Sequence, residues 1–248
     1  MSKYHEYYDL LNLGKKDYEG EIKKVKEIFE KNCNLPLNKV LEIGCGTGNH
    51  TKELLKISNK VFACDIDSEM IKIAKLKVPE EKVYFHTSSV PDIVEQEFPL
   101  CVLMWNVINY FPTISLMNKI FSEIKTRMLP GGLIMFDMWN GVTAIRDPPS
   151  NAVSRIEKEG LRVIHTLESR TNLMEQKTTI KNRADIIKNE MLVDSFSEEV
   201  THYLWTFKTI KDILDLNEME TIGVFKSNNW DEPANEKDWK IFILAKKK

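Results

Sequence analysis

Residues 40–49 read VLEIGCGTGN, an apolar run that leads directly into three glycines, Gly44, Gly46 and Gly48. This pattern predicts a strand, a tight turn and then a helix. Glycine adopts positive φ readily and lets a ligand approach the backbone closely. The spacing is G-x-G-x-G, and Asn49 takes the place of the third glycine of the dinucleotide fingerprint. We therefore predict a ligand-binding loop, for a ligand other than a dinucleotide.

An acidic partner follows at the expected interval. Asp65 ends the second apolar run and lies 21 residues beyond Gly44, about the distance at which a carboxylate meets ribose hydroxyls in strand–loop–helix folds. Ile66 and Met70 are candidates for the apolar surface against an adenine ring. Glu42, in the first run, is a candidate for holding an ammonium group. Together these residues predict a nucleoside site at the carboxyl ends of the strands.

Apolar runs alternate with helical patterns between residues 40 and 140, which predicts a parallel sheet with helices on both faces. Residues 151–207 do not follow this strand–helix alternation, and their β-branched, partly alternating runs predict a small antiparallel sheet. The fold class expected is α/β: a Rossmann-like, seven-stranded, mostly parallel sheet with an inserted antiparallel β-region. The predicted strands are 40–43, 61–64, 83–85, 100–105, 133–136, 161–171, 178–187, 197–205, 221–225 and 239–244, the helices are 22–29, 51–56, 68–77, 115–128 and 207–214, and a turn is expected at 130–132.

Composition excludes several classes of function. The 248 residues carry 35 Lys and Arg against 37 Asp and Glu, a net charge of −2, so no basic surface for a phosphate backbone is expected. No apolar run reaches the roughly 20 residues of a membrane span, and the polar start does not resemble a signal peptide. The four cysteines form no C-x-x-C pair. We predict a cytoplasmic protein with reduced thiols, no metal, and neither nucleic acid nor membrane as a partner.

The chain resembles the class I S-adenosylmethionine-dependent methyltransferases. Residues 41–48 match their first motif, 64–71 their second, 85–89 their third and 128–132 the turn before the fifth strand. The resemblance implies S-adenosyl-L-methionine as cofactor, held by the glycine loop and Asp65.

Two further positions take roles from this resemblance. Ser88 and Ser89 lie at the adenine end, and Ser89 stands where the family usually has an aspartate that accepts from the adenine amino group. Asn106 follows the fourth strand at the mouth of the family's active site. Its amide is a candidate for holding adenine or acceptor, and a strand-end cap is the structural alternative.

A narrower resemblance reaches outside these motifs. Tyr7–Leu10 and Gly14–Tyr18 look like the N-terminal arm of the methyltransferases that act on amino groups of nucleotide-linked deoxysugars, and 201–207 looks like their accessory sheet. It implies that Tyr18 meets the methionine carboxylate and that Tyr8 and Tyr110 orient the acceptor. Trp205 departs from the pattern, because many relatives carry an arginine there.

His202 is a candidate general base for a hydroxyl acceptor. A structural role within its strand is the competing interpretation.

The predicted organisation has three parts: an N-terminal arm and helix over the cofactor (1–38), a methyltransferase domain (39–145 and 207–248) and an inserted β-region on the acceptor side (146–206). The expected reaction is N-methylation of a small molecule, with a nucleotide-linked amino sugar as the acceptor, and a homodimer is compatible with it. The alternatives are O- or N-methylation of another small metabolite, or a non-catalytic S-adenosylmethionine-binding subunit.

Overall fold

A computed structural model describes residues 3–78, 80–90 and 97–248, so Met1 and Ser2 of the predicted arm lie outside the described part. Within the described residues the chain forms seven α-helices and twelve β-strands. In chain order they are α1 Tyr4–Leu11, α2 Tyr18–Asn32, β1 Lys39–Ile43, α3 Asn49–Leu54, β2 Lys60–Asp65, α4 Ser68–Lys77, β3 Val83–Thr87, β4 Phe98–Leu103, α5 Ile114–Arg127, β5 Met128–Trp139, α6 Gly141–Arg146, β6 Ala152–Lys158, β7 Leu161–Asn172, β8 Lys177–Lys188, β9 Met191–Tyr203, α7 Phe207–Leu216, β10 Met219–Lys226, β11 Asn229–Pro233 and β12 Lys240–Lys247.

The main sheet has the strand order β11-β10-β12-β5-β4-β1-β2-β3 among the described residues. β1 to β5 pair in parallel, while β12 pairs antiparallel with both β5 and β10. This confirms the predicted α/β class with a mostly parallel sheet. The sheet has eight strands rather than seven, because β11 adds a polar edge strand. Trp230 anchors β11 by stacking on Phe242, with ring centroids 3.8 Å apart.

Burial explains why the central strands form where the apolar runs predicted them. Val40 and Leu41 of β1 are fully buried, and β4 is buried along its whole length. Strands covered on both faces lack the polar alternation of half-exposed ones. The parallel pairing of β1 with β2 and β4 brings their carboxyl ends to one edge of the sheet.

The turn expected at residues 130–132 is instead an irregular part of β5. The strand begins at Met128, and its register with β4 shifts between Phe98 and Leu100. Gly131 has a φ of +79°, which accommodates the irregularity without ending the strand.

The second sheet is antiparallel, in the order β6-β7-β8-β9. It lies within residues 146–206, where an inserted β-region was predicted, and the division of the chain into domains stays a prediction. One face packs on helix α1 through a cluster of buried apolar residues, Leu11, Val163, Ala184, Ile186 and Phe196. Helix α1 of the arm therefore packs on the β6-β7-β8-β9 sheet, which we call the accessory sheet.

Aspartate side chains cap the N-termini of helices α2 and α4. Asp17 accepts from the Gly20 N–H at the start of α2, and Asp67 accepts from the Glu69 and Met70 N–H groups at the start of α4. Side-chain caps of this kind satisfy amides that have no partner within the helix.

In the described part of the chain, no helix combines the length and the apolar character needed to cross a membrane.

Candidate active site

A cavity of about 360 Å³ opens at the carboxyl ends of β1, β2 and β4. Its walls come from the glycine loop, the segments after β2, β3 and β4, helices α1, α4 and α5, and strand β9. The residues that line it include Tyr4, Tyr8, Gly44, Gly46, Asp65, Ile66, Asp67, Met70, Ser88, Ser89, Trp105, Tyr110, Glu198 and Val200. Its volume is that of a small-molecule site.

The three loop glycines all have positive φ, at 72° for Gly44, 54° for Gly46 and 79° for Gly48. A Cβ on Gly44 would lie 2.5 Å from Val107 Cγ2, whereas a Cβ on Gly46 would meet nothing within 4 Å. Gly44 is thus required by packing as well as by backbone conformation. Gly46 leaves space open towards the cavity. Gly48 precedes α3 and packs against Ala74 rather than lining the cavity.

Asp65 lies at the cavity wall and is tied to the loop. Its Oδ2 accepts from the Gly46 N–H at 2.8 Å and its Oδ1 from the Asp67 N–H at 3.0 Å. Burial raises the pKa of Asp65, and the hydrogen bonds from the Asp67 and Gly46 amides oppose that rise. Ile66, 74% exposed, and Met70 line the cavity beside it.

Ser88 and Ser89 line the same end of the cavity. The Ser88 N–H donates to the Asp65 carbonyl oxygen at 2.9 Å. The Ser88 hydroxyl is buried and has no hydrogen-bond partner among the described residues. A buried hydroxyl in this state is ready to bond a polar ligand.

Glu42 lies beneath the loop and does not line the cavity. It is 2% exposed, and its Oε2 accepts from the Thr51 hydroxyl at 2.6 Å. Burial raises the pKa of Glu42 to about 7, with a smaller contribution from the charge of Asp65. Its observed contact supports the first turn of α3, and a role at an ammonium group stays a prediction.

Trp105 and Asn106, directly after β4, have φ values of 71° and 59°. Positive φ is uncommon for residues with a side chain and concentrates at functional sites. The Asn106 N–H donates to Asp137 Oδ1 at 2.9 Å, which holds the turn in place. The Asn106 Oδ1 is buried without a partner among the described residues. Asn106 lines a second cavity, of about 210 Å³, on the other side of Trp105.

Tyr18 lies outside the walls of both cavities. Its ring stacks on Trp105, with centroids 5.9 Å apart, and meets His50 edge-on at 4.8 Å. Burial raises the pKa of Tyr18 to about 12. The second cavity next to Trp105 is also lined by Lys15, Lys16 and Lys240. Tyr18 and Asn106 therefore lie outside the wall of the 360 Å³ cavity, and their roles at the cofactor stay predictions.

Tyr8 and Tyr110 line the same cavity as the glycine loop. Burial raises the pKa of Tyr8 well above its ordinary value and that of Tyr110 to about 12. Both hydroxyls are thus protonated at neutral pH and offer one donor as well as acceptor lone pairs. Tyr4, which the sequence analysis did not select, joins them and meets Tyr8 edge-to-face at 5.6 Å.

His202 lies behind Tyr110 and not in the cavity wall. It is 8% exposed and stacks on Trp139 at a centroid distance of 4.3 Å, with the Tyr110 ring 4.8 Å away. Burial lowers the pKa of His202 to about 4, and the charge of Lys240 adds to the effect. A neutral, enclosed imidazole of this kind is a weak base at neutral pH, so the position favours the structural interpretation.

Asp9 connects helix α1 to the glycine loop and to α4 through polar contacts. Its Oδ1 accepts from the Thr47 hydroxyl at 2.7 Å and from Asn49 Nδ2 at 2.9 Å, and its Oδ2 pairs with Lys77 Nζ at 2.6 Å. The arm is thereby joined to the glycine loop and to the end of α4. The sequence contains no local signal for this contact, since 38 residues separate Asp9 from Thr47.

Glu198 is a further wall residue that the sequence analysis missed. One signal was available in the sequence. Glu198 is separated by multiples of two positions from Phe196, Val200 and His202 along β9, so all four point to the same face of the strand. A carboxylate between two apolar neighbours on the same face, Phe196 and Val200, is the observation that would have singled it out.

The comparisons with known proteins agree with this geometry. Residues 40–132 match the family described as "Methyltransferase domain". An uncharacterised protein of Methanocaldococcus jannaschii, MJ1252, is 26% identical over 241 residues, which span 96% of this chain and 84% of that protein.

Two further matches have described activities. The dTDP-3-amino-3,6-dideoxy-alpha-D-glucopyranose N,N-dimethyltransferase of Streptomyces fradiae is 23% identical over 136 residues, which are 54% of this chain and 52% of that enzyme. The structure of the sugar N-methyltransferase KedS8 from Streptoalloteichus superposes with a TM-score of 0.79 at 16% identity, covering 97% of this chain and 92% of that one. At this identity the superposition shows a shared fold.

The residues present suit S-adenosylmethionine. The space in front of Gly46 admits a ligand against the backbone, and the Ser88 hydroxyl and the Asp65 carboxylate supply polar groups on the same wall. Residues 40–132 match a methyltransferase domain, and the matched motifs, the fold and the cavity together support an S-adenosylmethionine-dependent methyltransferase.

Proposed function

We propose that this methyltransferase N-methylates a small-molecule amine, and that the amine belongs to a nucleotide-linked amino sugar. The observation that carries the proposal is the shared cavity. Gly44, Gly46 and Asp65 line the same cavity as Tyr8 of the arm and Glu198 of the accessory sheet. A cofactor and a small acceptor bound there would lie side by side, and alignment of reacting groups is the main catalytic requirement of methyl transfer.

The roles of individual residues follow from their positions. We assign Gly44, Gly46, Asp65, Ile66, Met70, Ser88 and Ser89 to the cofactor. S-adenosylmethionine supplies a methyl group that its sulfonium activates. Tyr8 and Tyr110 orient the acceptor through neutral hydroxyls. Residues 1–38 act as the arm over the cofactor, and residues 146–206 form the acceptor side.

The relatives support an amino sugar as the acceptor. The Streptomyces fradiae relative acts on a dTDP-linked 3-amino-3,6-dideoxyglucose. KedS8, a sugar N-methyltransferase, shares its fold with nearly the whole of this chain, including the parts that correspond to the arm and the accessory sheet. The weakly basic, enclosed His202 adds to the case, since a hydroxyl acceptor would need a stronger base than an amine does.

The test is an acceptor pair that differs in one group. Purified protein is incubated with S-adenosylmethionine and either dTDP-3-amino-3,6-dideoxyglucose or dTDP-6-deoxyglucose, which carries a hydroxyl at the same carbon. Mass spectrometry of the products follows, with Asp65→Ala as the control. We expect a gain of one or two methyl groups on the amino sugar alone. Methylation of the hydroxyl sugar would indicate O-methylation, and methylation of neither would contradict the amino-sugar assignment.

A further inference from the structure

Glu198 occupies the acceptor side of the cavity, on strand β9. Its inward-facing neighbours along the strand are Phe196 and Val200. Phe196 is 7% exposed and stacks on Tyr7 of the arm, with ring centroids 5.7 Å apart and planes inclined by 17°. The Glu198 carboxylate therefore lies between two apolar side chains. Asp194, the other carboxylate on this face, is already paired with Lys3 and Tyr7 of the arm.

The Glu198 Oε2 atom is buried and has no hydrogen-bond partner among the residues that the structure describes. Leaving a buried carboxylate oxygen unpaired is costly, and native proteins keep such groups where a ligand supplies the partner. The other carboxylates of the cavity wall are already engaged. Asp65 accepts from the amides of Gly46 and Asp67, and Asp67 accepts from the amides at the start of α4.

The charged residues of the cavity wall have one sign, and His5, which contacts Asp67 at 2.5 Å, is not itself a wall residue. Its described wall residues include three carboxylates, Asp65, Asp67 and Glu198, and no Lys, Arg or His. The tyrosines supply no compensating charge. Burial, helped by the negative charge of Glu198, raises the pKa of both Tyr4 and Tyr110, so their hydroxyls stay neutral. A group that pairs with Glu198 must then arrive with the ligand and carry hydrogen-bond donors.

We propose that the Glu198 carboxylate binds the amino group of the acceptor, an inference that rests on the proposed N-methylation of an amine. A carboxylate only accepts hydrogen bonds. The amine donates to it through its N–H groups. A charge-assisted bond between an ammonium group and a carboxylate is roughly twice as strong as a neutral one, so Glu198 selects an amine over a hydroxyl of the same shape. The ammonium ion has no lone pair, so it gives one proton to the Glu198 carboxylate before the neutral nitrogen attacks the methyl group.

The experiment uses simple ring compounds in place of the unidentified acceptor. Cyclohexylamine, as its ammonium ion, and cyclohexanol are titrated into protein saturated with S-adenosylhomocysteine, and their dissociation constants are measured by NMR. The variants are Glu198→Gln and, as a matched control, Glu199→Gln, the adjacent and exposed glutamate on the other face of β9. The affinity of each variant for S-adenosylhomocysteine reports whether the cofactor side is intact.

We expect the unmodified protein and Glu199→Gln to bind cyclohexylammonium at least tenfold more tightly than cyclohexanol. Glu198→Gln should lose this preference while its affinity for S-adenosylhomocysteine changes less than twofold. An unmodified protein without the preference, or a Glu198→Gln variant that keeps it, would overturn the inference.

The two proposals fail separately. Should the preference depend on Glu198 while the dTDP-linked amino sugar is not methylated, the amine site stands and the sugar is wrong. Conversely, methylation of the amino sugar at an unchanged rate by Glu198→Gln would leave the function in place and contradict the role of Glu198.

Discussion

The Gly46 N–H donates to the Asp65 carboxylate over 2.8 Å, although 19 residues separate the two positions along the chain. This bond joins the glycine loop to the end of β2, so the two halves of the sequence motif form one wall of the cavity. The loop conformation and the carboxylate orientation consequently depend on each other.

The loop glycines predict two different defects. Gly44→Ala and Gly46→Ala both place a Cβ on a backbone with positive φ, which costs about 1–2 kcal/mol. Gly44→Ala also drives the Cβ against Val107, and such overpacking adds roughly 1–3 kcal/mol. Urea unfolding should show Gly44→Ala as the less stable variant. Gly46→Ala should chiefly lower the affinity for S-adenosylhomocysteine, since the methyl group of the alanine enters the open space of the cavity. Equal losses of stability would contradict this distinction.

Helix α1 should loosen when Asp9 loses its charge. Asp9→Asn weakens the pair with Lys77 and the bonds from Thr47 and Asn49. Because the pair is partly exposed, we expect the free energy that keeps α1 closed to fall by on the order of 1 kcal/mol. This corresponds to about fivefold faster hydrogen exchange of its amides. Hydrogen exchange of the amides of α1 measures this directly. The control is Glu6→Gln, an exposed glutamate on the same helix, which should leave exchange unchanged. Unchanged exchange in Asp9→Asn would show that other contacts hold the arm.

Glu42 makes stability depend on pH. Its pKa is raised from 4.5 to about 7 in the folded protein, so the folded state binds the proton more tightly than the unfolded state. The associated stability is complete below pH 4.5 and is lost as the pH rises to 7. The total is on the order of 3 kcal/mol. Relative to Glu42→Gln, the unmodified protein without ligand should lose this amount of unfolding free energy between pH 4.5 and 7.5. Parallel curves would contradict the buried carboxylate.

His202 makes stability depend on pH with the opposite sign. Its pKa is lowered from 6.5 to about 4, so the unfolded state binds the proton more readily. The associated stability is complete above pH 6.5 and is lost as the pH falls towards 4, again on the order of 3 kcal/mol. His202→Phe keeps a ring to stack on Trp139 but cannot titrate. Unfolding curves of the two proteins should diverge below pH 6.5, and curves that stay parallel would mean that His202 is accessible to protons.

Local periodicity predicted much of the fold. Helix α4 begins and ends at the predicted Ser68 and Lys77, because an N-cap aspartate and a regular apolar pattern coincide there. Strands β6 and β11 were missed. β6 is exposed along nearly all of its length, and β11 buries only Trp230, so neither carries the apolar alternation that marks a strand.

The same distinction between local patterns and tertiary packing applies to the site residues. Gly44, Gly46 and Asp65 were accessible to prediction because loop and strand end are local features of the chain. Tyr4 and Glu198 reach the cavity only because α1 packs on the accessory sheet, a contact between segments nearly 200 residues apart. His202 was selected for its residue type, but its stacking on Trp139 and its burial depend on tertiary packing.

The cofactor wall is tested most directly by calorimetric titration of S-adenosylhomocysteine into the unmodified protein and Asp65→Ala. A control is Glu69→Gln, on α4 and outside the cavity walls. We predict micromolar binding that Asp65→Ala weakens at least tenfold, or about 1.4 kcal/mol, and that Glu69→Gln leaves unchanged. Absence of binding by the unmodified protein, or an Asp65→Ala variant that binds equally well, would contradict the assignment of this cavity to the cofactor.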